Sequence, residues 1–128
     1  MKTNELTGAA LDYWVAKCQA LEQPRIYRTR EGADVCEHLA PGTDGFPPDY
    51  VDFRPSTDWA DCGPLIDKFE MYVSSNGIGW EANCMKDGHN IHDHYGKGRT
   101  SREAVCRAVV RAAFGDEIHE VPATTAAK

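Results

Sequence analysis

Apolar residues recur at helical spacing near both ends of this chain, and between them they alternate. Leu11, Trp14, Val15 and Cys18, with Leu21 three positions on, predict a first helix over residues 6–21. Ala10 and Tyr13 widen its apolar face, and Asp12, Lys17 and Gln19 fall largely away from it. Thr7 is placed to cap the helix, and Gln23-Pro24 ends it, because proline disfavours helical geometry in the residue before it. Near the other end, Thr100 and Glu103 match a capping box, Val105, Ala108, Val109 and Ala112 form a buried stripe, and Gly115 follows Phe114 as a C-terminal cap. Arg102, Arg107 and Arg111 lie where solvent can reach them.

The middle reads as strands. Phe69, Met71 and Val73 share a face over 69–75, and Asn76-Gly77 signals a hairpin. Residues 80–85 return as the partner strand, and 89–95 make a third antiparallel strand or a loose extension. Weaker candidates are 25–29, 35–39, 50–53 and an edge strand at 117–121. Five glycines and prolines between 41 and 48 predict a loop, Pro41, Gly42, Gly45, Pro47 and Pro48. After Gly63-Pro64, one helical turn is expected at 65–68. The sum is an α+β fold: a small antiparallel sheet of three to five strands packed against an N-terminal and a C-terminal helix. At 128 residues, one domain over 1–122 with a flexible C-terminal tail at 123–128 is expected.

Composition narrows the partners. The formal charge is −6, which disfavours general nucleic-acid binding and anionic membrane surfaces. No run is long enough to cross a bilayer, and the first residues lack the features of a signal peptide. The five cysteines are widely spread with no CxxC pair, which suits reduced thiols in a cytoplasm. Cys18, Cys84 and Cys106 lie in apolar patterns, and Cys36 and Cys62 beside acids, and neither setting favours a nucleophilic thiolate. No motif asks for a cofactor.

Three stretches could carry chemistry. Residues 53–65, FRPSTDWADCGPL, join hydroxyls, a carboxylate and a flat ring. Trp59 could stack on a planar ligand while Ser56, Thr57 and Asp58 take its polar edge; the alternative is a capped turn that anchors Trp59 in the core. His89, His92 and His94 could converge on zinc or nickel if they lie in a loop, with Cys36 and His38 as further ligands. No standard zinc spacing is present, and a solvated polar strand is the plainer account. Gly96-Lys97-Gly98-Arg99-Thr100-Ser101 opens the last helix and forms a candidate phosphate cradle, with Arg99 and Thr100 foremost. It is not a P-loop, because Lys97 precedes Gly98 where that motif needs Gly-Lys-[Ser/Thr].

LTGAALDYWVAKC, PSTDWADCGPLI and AAFGDEIHEVP together resemble the NinX-like family of small proteins of lambdoid phages and their prophages. The segments cover about a third of the chain, in the family's order and at compatible spacing. Cys62 stands where a glycine is commoner, and Gly96 to Thr100 replaces a Gly-Pro-Thr-Pro lead into the last helix. The resemblance implies an infected bacterial cell as the setting and an accessory role in the host cytoplasm. Small phage proteins of this size and layout include sponges that bind nucleotide-derived immune signals of the host without cleaving them. The expectation is therefore a non-enzymatic, homo-oligomeric binding protein that sequesters a nucleotide-derived small molecule. Its ligand-binding candidates are Ser56, Thr57, Asp58, Trp59, Arg99 and Thr100. The alternatives are a protein-interaction module that inhibits a host enzyme through an acidic surface, and a metal-dependent hydrolase built on the three histidines.

Overall fold

The C-terminal helix is buried almost all round. In the computed structural model, which describes residues 1–85, 95–120 and 122–125, this helix spans Ser101–Phe114 (α3) and buries every residue from Ala104 to Val110. The predicted stripe of Val105, Ala108 and Val109 lies in the core, with Ala104, Cys106 and Val110 beside it. The helix is enclosed because neighbours pack on opposite sides of it. On one side lies an antiparallel sheet of Met71–Ser75 (β4), Trp80–Cys84 (β5) and Tyr95–Gly98 (β6), in the order β4-β5-β6. On the others lie Gly8–Cys18 (α1) and Trp59–Lys68 (α2).

Glycine sets the closest of these approaches. A Cβ on Gly96 would run into the Ala104 carbonyl and stand 2.5 Å from the Ala108 amide. One on Gly98 would stand 2.7 Å from the Ala104 amide. The bare backbone of β6 therefore rests directly on the first turns of α3.

The remaining strands form a second sheet. Arg25–Arg28 (β1), Asp34–Ala40 (β2) and Asp49–Asp52 (β3) pair antiparallel, and Thr124–Thr125 (β7) adds to β1 in parallel, giving the order β3-β2-β1-β7. The α+β class holds, with the strands divided between two sheets where one was expected. Part of the segment expected to fray, Thr124–Thr125, is thus an edge strand against Ile26 and Tyr27. The expected edge strand at 117–121 instead meets the N-terminus: Ile118 and Met1 exchange backbone hydrogen bonds of 2.8 and 3.0 Å.

Two local readings change. The expected single turn at 65–68 is a ten-residue helix, α2, that runs through Pro64. Gly63 makes this tolerable, since it has no Cβ to clash with the proline ring in helical geometry. Asp12, expected on the solvent side of α1, is only 4% exposed. Its carboxylate faces the turn before α2 and accepts the Ser56 amide at 2.8 Å. Arg107 is buried as well, because backbone carbonyls and Glu103 receive its donors.

The five cysteines are all free. Among the described residues, no helix is long and apolar enough to cross a membrane.

Candidate functional site

The β4–β5 hairpin and the start of α3 wall an open groove of about 540 Å³. The hairpin side is built by Asn76, whose Oδ1 accepts the amides of Ile78 and Gly79 at 3.0 and 2.8 Å. Gly77 supplies the positive φ, +89°, that this turn needs. The turn presents Ile78 at 96% exposure and leads into Trp80, which pairs with Gly98 across β5–β6. Gly79, Trp80 and Gly98 line the groove on this side.

The opposite wall is the entry to α3. Thr100 Oγ1 accepts the Glu103 amide at 3.1 Å, as the capping box requires. Glu103 Oε1 reaches the Arg99 amide at 3.1 Å, one residue before the N–H that the reciprocal bond of the box normally takes. The same oxygen lies 3.1 Å from the Arg107 guanidinium. Arg107 also donates from Nε to the Leu6 carbonyl at 3.0 Å and from Nη1 to the Lys97 carbonyl at 2.7 Å. These charge-assisted bonds fix the segment before α1, β6 and α3 to one another and form the groove's floor. Thr7, next to Leu6, lines the groove too, and its side chain makes no capping bond to α1. Arg99 is exposed, and its guanidinium has no ion pair among the described residues. Trp80, Thr7, Glu103 and an arginine with no ion pair among the described residues, Arg99, thus line one space.

The sequence-predicted residues divide between this groove and other places. Arg99 lines the groove, and Thr100, which caps α3, does not. None of Ser56, Thr57, Asp58 or Trp59 lines it. Ser56 is buried against Asp12, and Asp58 caps α2, its Oδ1 accepting the Ala60 amide at 2.9 Å. Thr57 is exposed. Trp59, at the first position of α2, is 49% exposed, with the Arg102 guanidinium 5.1 Å from its ring centroid. That contact places the Trp59 ring beside the first turn of α3. His89, His92 and His94 lie outside the described residues. Of the further metal-ligand candidates, Cys36 is fully buried and His38 packs its ring edgewise on Phe53. Among the described residues, no group of three acidic, His or Cys side chains is arranged to hold a metal ion.

Sequence reasoning missed Trp80, Ile78 and Thr7. The Asn76-Gly77 turn signal was the available clue, since it fixes which residues follow the hairpin. The pairing of Trp80 with Gly98 was hidden because the third strand was expected at 89–95, and in the described structure it is Tyr95–Gly98.

Electrostatics separate buried groups from the groove. Burial raises the Asp12 carboxyl to about 6; the Ser56 amide and hydroxyl pull it down, Asp61 pushes it up and Arg54 lowers it. Burial also pushes the Cys18 and Cys36 thiols to about 12 and Cys106 well above its ordinary value. Cys62 is drawn down by a hydrogen bond with Cys106 and by Arg102, against the effect of burial, but it is wholly enclosed.

No curated protein matches the chain. The family model described as bacteriophage P22 NinX matches residues 2–112, from the segment before α1 to the last turn of α3, and the chain therefore belongs to the phage P22 NinX family.

Proposed function

We propose that this chain is a phage anti-defence protein that acts in the host cytoplasm by binding and sequestering a nucleotide-derived immune signal, without cleaving it. The observation that carries the reading is the groove, where the Trp80 indole and the unpaired Arg99 guanidinium line one space. Trp80 offers a base a flat ring and Ile78 an aliphatic contact beside it, Arg99 offers a phosphate a planar fork, and Thr7 offers a hydroxyl. Holding rather than turnover is supported by the groups nearby. Glu103, the carboxylate that lines the groove, is engaged by the Arg99 amide and by Arg107. Exposed Phe46 and Tyr72 supply apolar area for a homo-oligomer.

A second reading is a module that inhibits a host enzyme through an acidic surface, and it draws on the formal charge of −6. Thermal-shift and calorimetric titration against a panel of nucleotides separates the two. Sequestration predicts a shift, its loss in Trp80→Ala and Arg99→Ala, and unchanged ligand recovered after heat denaturation. Recovery of altered ligand would establish an enzyme. No shift with any nucleotide would favour the interaction module.

A further inference from the structure

We propose that the groove selects a nucleotide whose phosphate is a singly charged diester and disfavours terminal phosphates. The inference rests on the groove being a nucleotide site and adds the form of the phosphate.

The reason is a charge balance among named groups. Arg107 lies 3.1 Å from Glu103, so its charge is offset, and its other donors serve two backbone carbonyls. Lys97 also lines the groove, but its ammonium lies 5.4 Å from the Tyr95 ring centroid, and Glu81 stands directly across the strand pair from it. Glu81 is held below the usual carboxylate range by hydrogen bonds from Tyr95 and Asn76 and by the Lys97 charge. Among the described groove groups, Arg107 with Glu103 and Lys97 with Glu81 offset in sign, and Arg99 adds one further positive charge. Arg99 and Glu103 line the same groove, so an anion held there by Arg99 shares the space with that carboxylate.

A phosphodiester brings one negative charge and two free oxygens, which a guanidinium fork matches. A terminal monophosphate carries about −1.5 to −2 at neutral pH, and a triphosphate carries more. The excess charge would face Glu103, and the other groove cations, Arg107 and Lys97, are already opposed by Glu103 and Glu81, in a chain that carries −6.

The test is calorimetric titration of the full chain with 3′,5′-cyclic nucleoside monophosphates of the four bases and with the matching 5′-monophosphates and 5′-triphosphates. At pH 7.5 the preferred cyclic diester should bind at least about tenfold more tightly than its 5′-monophosphate. Glu103→Gln keeps an acceptor for the Arg99 amide and for Arg107 and removes the charge, so it should narrow that ratio by tightening the monophosphate. The wild-type ratio should also narrow at pH 5, where the monophosphate becomes singly charged because its second pKa is about 6; this arm does not depend on a variant that folds. Tighter binding of the 5′-monophosphate by the wild type, or a ratio that neither Glu103→Gln nor pH 5 changes, would overturn the diester inference and leave the nucleotide reading intact. Failure of every nucleotide to bind would overturn both.

Discussion

The Asp12 carboxylate accepts the Ser56 backbone amide at 2.8 Å inside the protein, joining α1 to the turn that opens α2. Without Asp12, this amide would be a buried donor with no acceptor, which would cost about 1–3 kcal/mol. The bond uses a carboxylate that burial penalises in its charged form. The chain thus satisfies a buried amide at an electrostatic cost that depends on pH.

Because the folded pKa of Asp12 is raised from 3.8 to about 6, the folded state holds its proton more tightly than the unfolded state does. The resulting stability is fully present below pH 3.8, declines as pH rises through about 6, and is gone above that. The difference is on the order of 3 kcal/mol. Asp12→Asn keeps an oxygen for the Ser56 amide and carries no charge. It should be more stable than the wild type at pH 7.5, and the gap should close near pH 3.5. Urea unfolding at the two pH values checks this, and an equal gap at both would contradict it.

Two arginines of the groove should separate stability from binding. Arg107→Met strands the Leu6 and Lys97 carbonyls and leaves the Glu103 carboxylate without its partner, and should cost about 3–5 kcal/mol of stability. Arg99→Ala removes an exposed, unpaired side chain and should change stability by no more than about 0.5 kcal/mol. Ligand affinity should nevertheless collapse in Arg99→Ala. Denaturation midpoints and calorimetry on both variants read the two effects independently.

Gly96→Ala tests the contact between β6 and α3. The new methyl would meet the Ala104 carbonyl and the Ala108 amide, both main-chain groups that cannot rotate away. A loss of at least about 2 kcal/mol is expected from the forced separation. A wild-type unfolding midpoint would show that strand and helix do not approach this closely.

The tryptophans can be assigned by fluorescence. Trp80→Phe should remove most of the ligand-induced emission change, and Trp59→Phe should retain it, because only Trp80 lines the groove. If Trp59→Phe abolished the signal and binding together, the site would have to move to the Arg102 side of α3.

The elements with a strong local signal were legible from sequence. The stripe and cap of α3, the Asn76-Gly77 hairpin and the Thr7 start of α1 each depend on residues within a few positions of one another. What could not be read depended on residues far apart in the chain. Asp12 looks solvated on a helical wheel, and its place is set by Ser56, 44 residues away. Arg107 looks like one of three exposed arginines until the Leu6 carbonyl, 101 residues away, arrives to receive it. The Ser-Thr-Asp-Trp stretch drew attention because its residue types suit both binding and capping. For Ser56 and Asp58 the structure shows the bonds of a capped and anchored turn. The groove went unread because it needs the pairing of Trp80 with Gly98, and the third strand was expected at 89–95.

The central position of α3 also bears on how the chain is made. The β4–β6 sheet, α1 and α2 all rest on a helix that is synthesised after them. A nascent chain that has not yet released Ser101–Phe114 has apolar faces on α1, α2 and β5 with nothing to cover them. The contacts that complete the core, such as Leu6 with Arg107, span most of the sequence and carry a large loop-closure cost. Folding should therefore wait until Ser101–Phe114 has emerged. Nascent chains stalled before residue 101 should be protease-sensitive and prone to chaperone capture.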